Sequence, residues 1–194
     1  MKKLLWPLAA LLLPLFACAS SAGEPLSAAE RDGLVFTREE EKLARDVYGA
    51  LERHDPSFAN VGASEQTHMD AVKTLLDRYD VADPASGRAV GEFTNPKLQG
   101  LHDALVSGGS PSREAALAVG VEIEELDIVD IEAARGVVTH GDVLTTYDNL
   151  TRGSRNHLRT FHAKLVATGA TYTPKHLDAA AFRAIVESPA ERGP

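Results

Sequence analysis

Five residues carry the chemistry legible in this sequence: Glu41, Glu65, His68, Glu124 and His157. Each interrupts an apolar stripe that recurs at alternating three- and four-residue steps, the spacing of the buried face of a packed helix. One stripe runs Leu34, Thr37, Glu41, Ala44, Tyr48, Leu51, and a second runs Val61, Glu65, His68, Val72, Leu75, Tyr79. A third runs Leu117, Val121, Glu124, Ile128, Ile131, and the last runs Val143, Tyr147, Leu150, Ser154, His157, Phe161. The polar groups fall about midway along each stripe, so four helices would bring them to one depth. Three carboxylates and two imidazoles buried together would repel one another or lack partners. Divalent metal ions remove both problems. Glu65-Gln66-Thr67-His68 is a Glu-x-x-His pair whose i, i+3 spacing puts both side chains on one helix face. Hard carboxylates with two imidazoles suit iron or manganese, and zinc is compatible.

Taken singly these residues say less. Glu41 sits in the run Arg38-Glu39-Glu40-Glu41-Lys42 and Glu124 in Glu122-Ile123-Glu124-Glu125, either of which reads alone as a solvated charged face. A lone His157 reads as a hydrogen-bonded core histidine. The coincidence of four stripes gives them joint meaning.

The elements that must position them are helical throughout, with no strand-like alternation of useful length. Long helices are expected over 30–53, 58–79, 110–135 and 141–167. His54-Asp55-Pro56 ends the first, because a proline disfavours helix in the residue before it. Ser110-Pro111 reads as a cap with proline at the first helical position of the third. A short helix is expected over 96–106 inside the second connection. Another is expected from Thr173-Pro174 to Val186, followed by a frayed tail over 188–194. Four long helices with one long link between the second and third make an all-α, ferritin-like four-helix bundle with a long crossover and a short C-terminal helix. In such bundles a dinuclear site takes one Glu from each of two helices and Glu-x-x-His from each of the other two. Glu41 and Glu124 would be the single ligands, with Ser154 in the Glu position of the last motif.

The chain has 194 residues, 44% of them hydrophobic and 25% charged, which suits one soluble domain, placed here at 26–188. Its net charge of −8 argues against a broad nucleic-acid surface. Residues 1–22 read as a leader and tether: Lys2 and Lys3 precede an apolar run that is too short and too proline-broken to span a membrane. Two processing routes stay open. Leu15-Phe16-Ala17-Cys18 is like a lipoprotein signal that would leave a lipid anchor at Cys18; cleavage in the small residues around 17–22 would release a soluble protein. Either way the expected location is the periplasm or cell envelope. Cys18 is the only cysteine, so the mature domain is expected to have no thiol or disulfide chemistry.

Four phrases carry a family resemblance: Glu40-Glu41-Lys42-Leu43-Ala44-Arg45-Asp46-Val47-Tyr48, Ser64-Glu65-Gln66-Thr67-His68-Met69-Asp70-Ala71-Val72, Glu124-Glu125-Leu126-Asp127-Ile128 and Arg152-Gly153-Ser154-Arg155-Asn156-His157-Leu158-Arg159. Together they resemble the DUF2202 family of bacterial and archaeal ferritin-like domains, over about Leu34 to Val186. The first phrase also resembles the first helix of rubrerythrins, where a Glu precedes Ala-Arg-x-x-Tyr by two residues. That resemblance favours Glu41 over Glu39 or Glu40 as ligand. It implies a ferritin-like fold and a di-iron or related site, without fixing an activity.

One departure matters. Four carboxylates would balance two divalent ions, and the stripes supply three. Asp127, one turn beyond Glu124, would be the fourth, with Glu125 a less well-aimed candidate. Otherwise Ser154 leaves an open coordination position, or the site holds one metal. Tyr48 and Tyr147 are equally second-layer partners of ligands or core filling. The expected cofactor is two iron ions, with manganese or zinc as substitutes. The expected chemistry is oxidoreduction of dioxygen, peroxide or Fe(II). The alternatives are a metal-binding or sensing module without turnover and a purely structural bundle. The expected partners are metal ions, and a homodimer stays an open option.

Overall fold

The computed structural model describes residues 24–193; the leader over 1–22, with Cys18, lies outside the described residues. Within them the chain is all-α. Six helices follow in order: α1 (Ala28–Leu51), α2 (Ser57–Arg78), α3 (Pro96–Gly109), α4 (Arg113–Arg135), α5 (Gly141–Ala167) and α6 (Ala179–Val186). A 3-10 turn over Glu52–His54 follows α1. No strand occurs among the described residues.

Local chemistry sets the helix ends. Ser27 and Glu30 form a reciprocal capping box at the start of α1. Glu30 also accepts from the Thr139 and His140 backbone amides, tying that end to the turn between α4 and α5. The cap of α4 is Ser112, whose side chain accepts from the Ala115 amide, and not the expected Ser110. Ser110 instead closes α3 by donating its hydroxyl to the Val106 carbonyl. The last helix also starts later than Thr173-Pro174 suggests. The amides of Lys175, His176 and Leu177 point to the Glu125 carboxylate, and Asp178 caps α6 through the Ala180 and Ala181 amides.

Four long helices close a ring: α1 packs on α2, α4 on α5, α1 on α4 and α2 on α5. Two apolar clusters fill it. One contains Tyr48, Phe58, Leu117, Leu158 and Phe161. The other contains Leu34, Leu76, Ile131, Tyr147 and Leu150. The polar stripe positions fall between the two clusters along each helix, so apolar layers shield them from water on both sides.

The run from Arg38 to Lys42, which alone reads as solvated, is buried. The link between α2 and α3 folds across it. Arg38 makes a two-pronged contact with Asp83, at 3.0 Å for each bond. Glu39 accepts from the Thr94 and Asn95 amides, and Lys42 reaches the Ala89 carbonyl and Asp46. The tail is likewise held and not frayed at Glu191. That carboxylate receives Arg155 at 2.7 and 2.5 Å and Arg159 at 2.8 Å.

Candidate metal centre

Glu41 comes from α1, Glu65 and His68 from α2, Glu124 from α4 and His157 from α5. Periodicity aims all five inward. The three carboxylates are at most 1% exposed, while the two imidazole side chains keep 11–12% of their surface. The donor atoms fall into two triads, Glu41–Glu65–His68 and Glu65–Glu124–His157, each with its ligand atoms within 4.8 Å of one another. Glu65 belongs to both. Its Oε2 lies 2.7 Å from His68 Nδ1, and its Oε1 lies 2.8 Å from His157 Nδ1. Glu41 Oε2 stands 3.2 Å from His68 Nδ1, and Glu124 Oε2 stands 3.6 Å from His157 Nδ1. The two rings stack with centroids 5.6 Å apart.

These contacts are close, yet most are not hydrogen bonds. Glu41 Oε1, both oxygens of Glu65, Glu124 Oε2 and His157 Nδ1 are buried without a hydrogen-bond partner. Of the four imidazole–carboxylate contacts only His68 Nδ1 to Glu41 Oε2 is a hydrogen bond, and Glu124 Oε2 stands too far from His157 Nδ1 for one. Lone pairs that converge on a shared point, instead of on each other's hydrogens, give this pattern. Each buried group left unsatisfied costs about 1–3 kcal/mol. The donor set therefore fits divalent cations: mixed O and N donors, close together, dry and unsatisfied.

Protonation follows from the same crowding. Burial pushes Glu41 and Glu124 up to about 7, although the facing imidazoles partly offset it. Burial also acts on Glu65, but His157 and His68 outweigh it and leave this carboxyl well below its usual range. Burial pulls the imidazoles down, and the carboxylates around them win. Glu41 and Glu65 carry His68 to about 11, and Glu124 and Glu65 carry His157 to about 10.

A surrounding layer orients these groups. Tyr48 donates its hydroxyl to Glu124 Oε1 at 2.5 Å, and both residues are fully buried. His157 turns Nε2 to Ser64 Oγ at 3.1 Å, which leaves Nδ1 as the atom facing the carboxylates. Tyr147, the stripe tyrosine of α5, is buried in the opposite apolar cluster.

Other sequence candidates separate clearly. Asp127 is buried with Oδ2 unpartnered, but it belongs to neither triad. Burial and the nearby charges of Glu41, Glu40, Glu124 and Glu65 hold its carboxyl well above the usual range. Glu125 points elsewhere, into the loop before α6, where it also accepts from the Tyr172 hydroxyl. Ser154 is buried and donates to its own helix at the Leu150 carbonyl, so α5 brings only His157 to the triads. Sequence reasoning passed over Ser64 and gave Gly153 no role of its own. The glycine inside α5, beside Ser154, was the available signal for the second.

The fold and centre define a class: an all-helical protein with a buried carboxylate–imidazole cluster shared among four helices. The chain belongs to the family described as "Uncharacterized protein domain (DUF2202)", whose model matches residues 30–189. It is 44% identical over 172 residues to an uncharacterized protein of Methanocaldococcus jannaschii, spanning 88% of this chain and 93% of that one. It is also similar to the crystal structure of a hypothetical protein from Methanococcus jannaschii. There the TM-score is 0.84 at 43% identity, over 87% of this chain and 98% of the other.

Proposed function

We propose that this chain is an exported, ferritin-like four-helix bundle holding a dinuclear metal centre, with iron the first choice and manganese or zinc as substitutes. The observation that carries the reading is Glu65, which turns one oxygen to each of two triads. A single-ion site has no use for a carboxylate divided in this way. Glu41 and His68 would complete one position, and Glu124 and His157 the other. Asp127 is the proposed source of a fourth negative charge, close enough for its own carboxyl to feel Glu41 and Glu124.

Two bound irons would supply electrons, or accept them, for oxidoreduction of dioxygen, peroxide or Fe(II). The chain's own residues do the rest. Tyr48 fixes the rotamer of Glu124, Ser64 fixes the ring orientation of His157, and the two apolar clusters exclude water. A metal-binding or sensing role without turnover is the second reading, favoured by Ser154. Its hydroxyl bonds to Leu150, so α5 supplies no carboxylate to balance charge that changes during a reaction.

Metal analysis of the purified mature chain tests the centre. Two equivalents are expected, falling to one or none in Glu65→Ala. Less than half an equivalent, unchanged by Glu65→Ala or His68→Ala, would overturn it. Optical monitoring of the iron-loaded protein mixed with peroxide or dioxygen then separates turnover from storage-free binding.

A further inference from the structure

The geometry points to a binding site for a small hydroxycarboxylate in the cleft between α2 and α5, with His157 as its inner wall. The cleft encloses about 350 Å³, at the lower end of the range for small-molecule sites. Pro56 and Val61 give it an apolar lining, and Ser57, Asn60, Thr160 and Lys164 give it polar groups.

Charge selects the ligand class. Asp55, buried beside the cleft, is one carboxylate serving two cations: Arg113 at 2.6 Å and Lys164 at 2.9 Å. The Ser57 amide and hydroxyl also donate to it, at 2.9 and 2.7 Å. Because Asp55 divides its charge between Lys164, which lines the cleft, and Arg113, which does not, Lys164 is left incompletely neutralised. Lys164 has three N–H donors and spends one on Asp55, leaving two for an anion. Asn60 is exposed, and its amide is unengaged by any described hydrogen bond.

The hydroxyls select further. Ser57 gives its hydrogen to Asp55 and Thr160 gives its own to the Asn156 carbonyl. Both therefore offer only acceptor oxygens. A ligand that satisfies the cleft brings a carboxylate for Lys164 and Asn60 and an O–H donor for Thr160, the exposed one of the two hydroxyls. A short hydroxycarboxylate has both. The site deepens the metal-centre reading, because it would seat such a molecule against the wall of the centre, but its own contacts need no metal.

The test is titration of L-lactate into the isotope-labelled mature chain, followed by amide NMR, with chelated and metal-loaded samples run in parallel. Saturable shifts are expected at Asn60, Val61 and Thr160 in the chelated sample. Losing the charge-assisted contact in Lys164→Gln, or adding a repelling charge in Asn60→Asp, should weaken binding about tenfold. Propionate, lacking the hydroxyl, should bind more weakly than lactate to the wild type and equally with it to Thr160→Val. Absence of saturable shifts at those amides, or unchanged affinity in Asn60→Asp, overturns the proposal. Asn60 is exposed on α2, so that variant decides even if Lys164→Gln disturbs the Asp55 cluster. Lactate binding to a chain that takes up no metal would sink the metal centre and leave this site standing. Normal metal uptake without lactate shifts would do the reverse.

Discussion

Gly153 stands so close to His68 that a Cβ placed on it would lie 2.5 Å from Nε2 and 2.6 Å from Cε1. A glycine inside a helix costs about 1 kcal/mol relative to alanine, so its presence mid-α5 calls for a reason. The ring of His68 is that reason: α5 gives up a side chain so that an imidazole from α2 can turn Nδ1 to Glu41 and Glu65. Gly153→Ala should therefore not stabilise. It should displace His68, lower metal content and destabilise the metal-free fold by about 1–3 kcal/mol through overpacking. Metal analysis with denaturant unfolding checks both; a more stable variant with full metal content would remove His68 from the centre.

Stability of the metal-free protein should fall as pH rises. In the folded chain Glu41 and Glu124 keep their protons to about 7, above the ordinary carboxylate value, and His68 and His157 keep theirs to about 11 and 10. The folded state thus binds more protons than the unfolded state, and stability drops from about pH 4.5 to about pH 7 through the two carboxyls and on to about pH 11 through the two imidazoles. Carboxylates with depressed values, Glu65 among them, contribute stability above their unfolded values and lose it only in stronger acid. His162, pushed down by burial, runs the other way, but it is only half-buried. Melting curves of the chelated protein across that range give the test, and a melting temperature rising with pH throughout would contradict it.

Metal binding should release protons. The ions would displace protons from the two imidazoles and from Glu41 and Glu124, so affinity should climb with pH where stability of the empty fold declines. Calorimetry in two buffers of different ionisation enthalpy measures the number released. A buffer-independent heat would mean that these groups do not give up protons to the metal.

Tyr48→Phe should cost about 1–3 kcal/mol, because it leaves Glu124 Oε1 buried without a donor. Two metals should still bind, more weakly. Denaturant unfolding and metal titration together distinguish this from simple loss of packing, since phenylalanine preserves the ring that sits 5.1 Å from Phe161 and 5.7 Å from Phe58.

Asp127 and Glu125 should part company under mutation. Asp127→Asn should reduce metal affinity with little harm to the metal-free fold, since its carboxyl is held protonated there. Glu125→Gln should destabilise by about 1.5–3 kcal/mol, the range for hydrogen bonds to a charged group, and leave metal content intact. The opposite pairing of effects would make Glu125 the fourth carboxylate.

Much of this was readable in the sequence because it depends on periodicity. The α5 limits match the expected 141–167, and the stripes gave Glu41, Glu65, His68, Glu124 and His157, the members of the two triads. What escaped depends on contacts between distant segments. Ser110 and Ser112 are equivalent as cap candidates by residue type, and only the end of α3 assigns Ser110 to Val106. Glu39 and Glu125 look like surface charge until the loops that supply their amide donors are folded over them. The tail looks free until Arg155 and Arg159 are seen to meet Glu191. Ser64 and Gly153 matter only once α2 and α5 face each other.

The sharing of Glu65 also bears on the order in which the centre is assembled. One triad, Glu41–Glu65–His68, lies wholly on the α1–α2 hairpin, with partners 27 residues apart or fewer. The other needs α4 and α5, and its structural contacts span 76 and 93 residues. During synthesis the first three donors emerge together, long before the rest. A hairpin that closes a short loop at small entropic cost thus brings three of the five clustered donors together, and the later helices add Glu124 and His157 against a template already built.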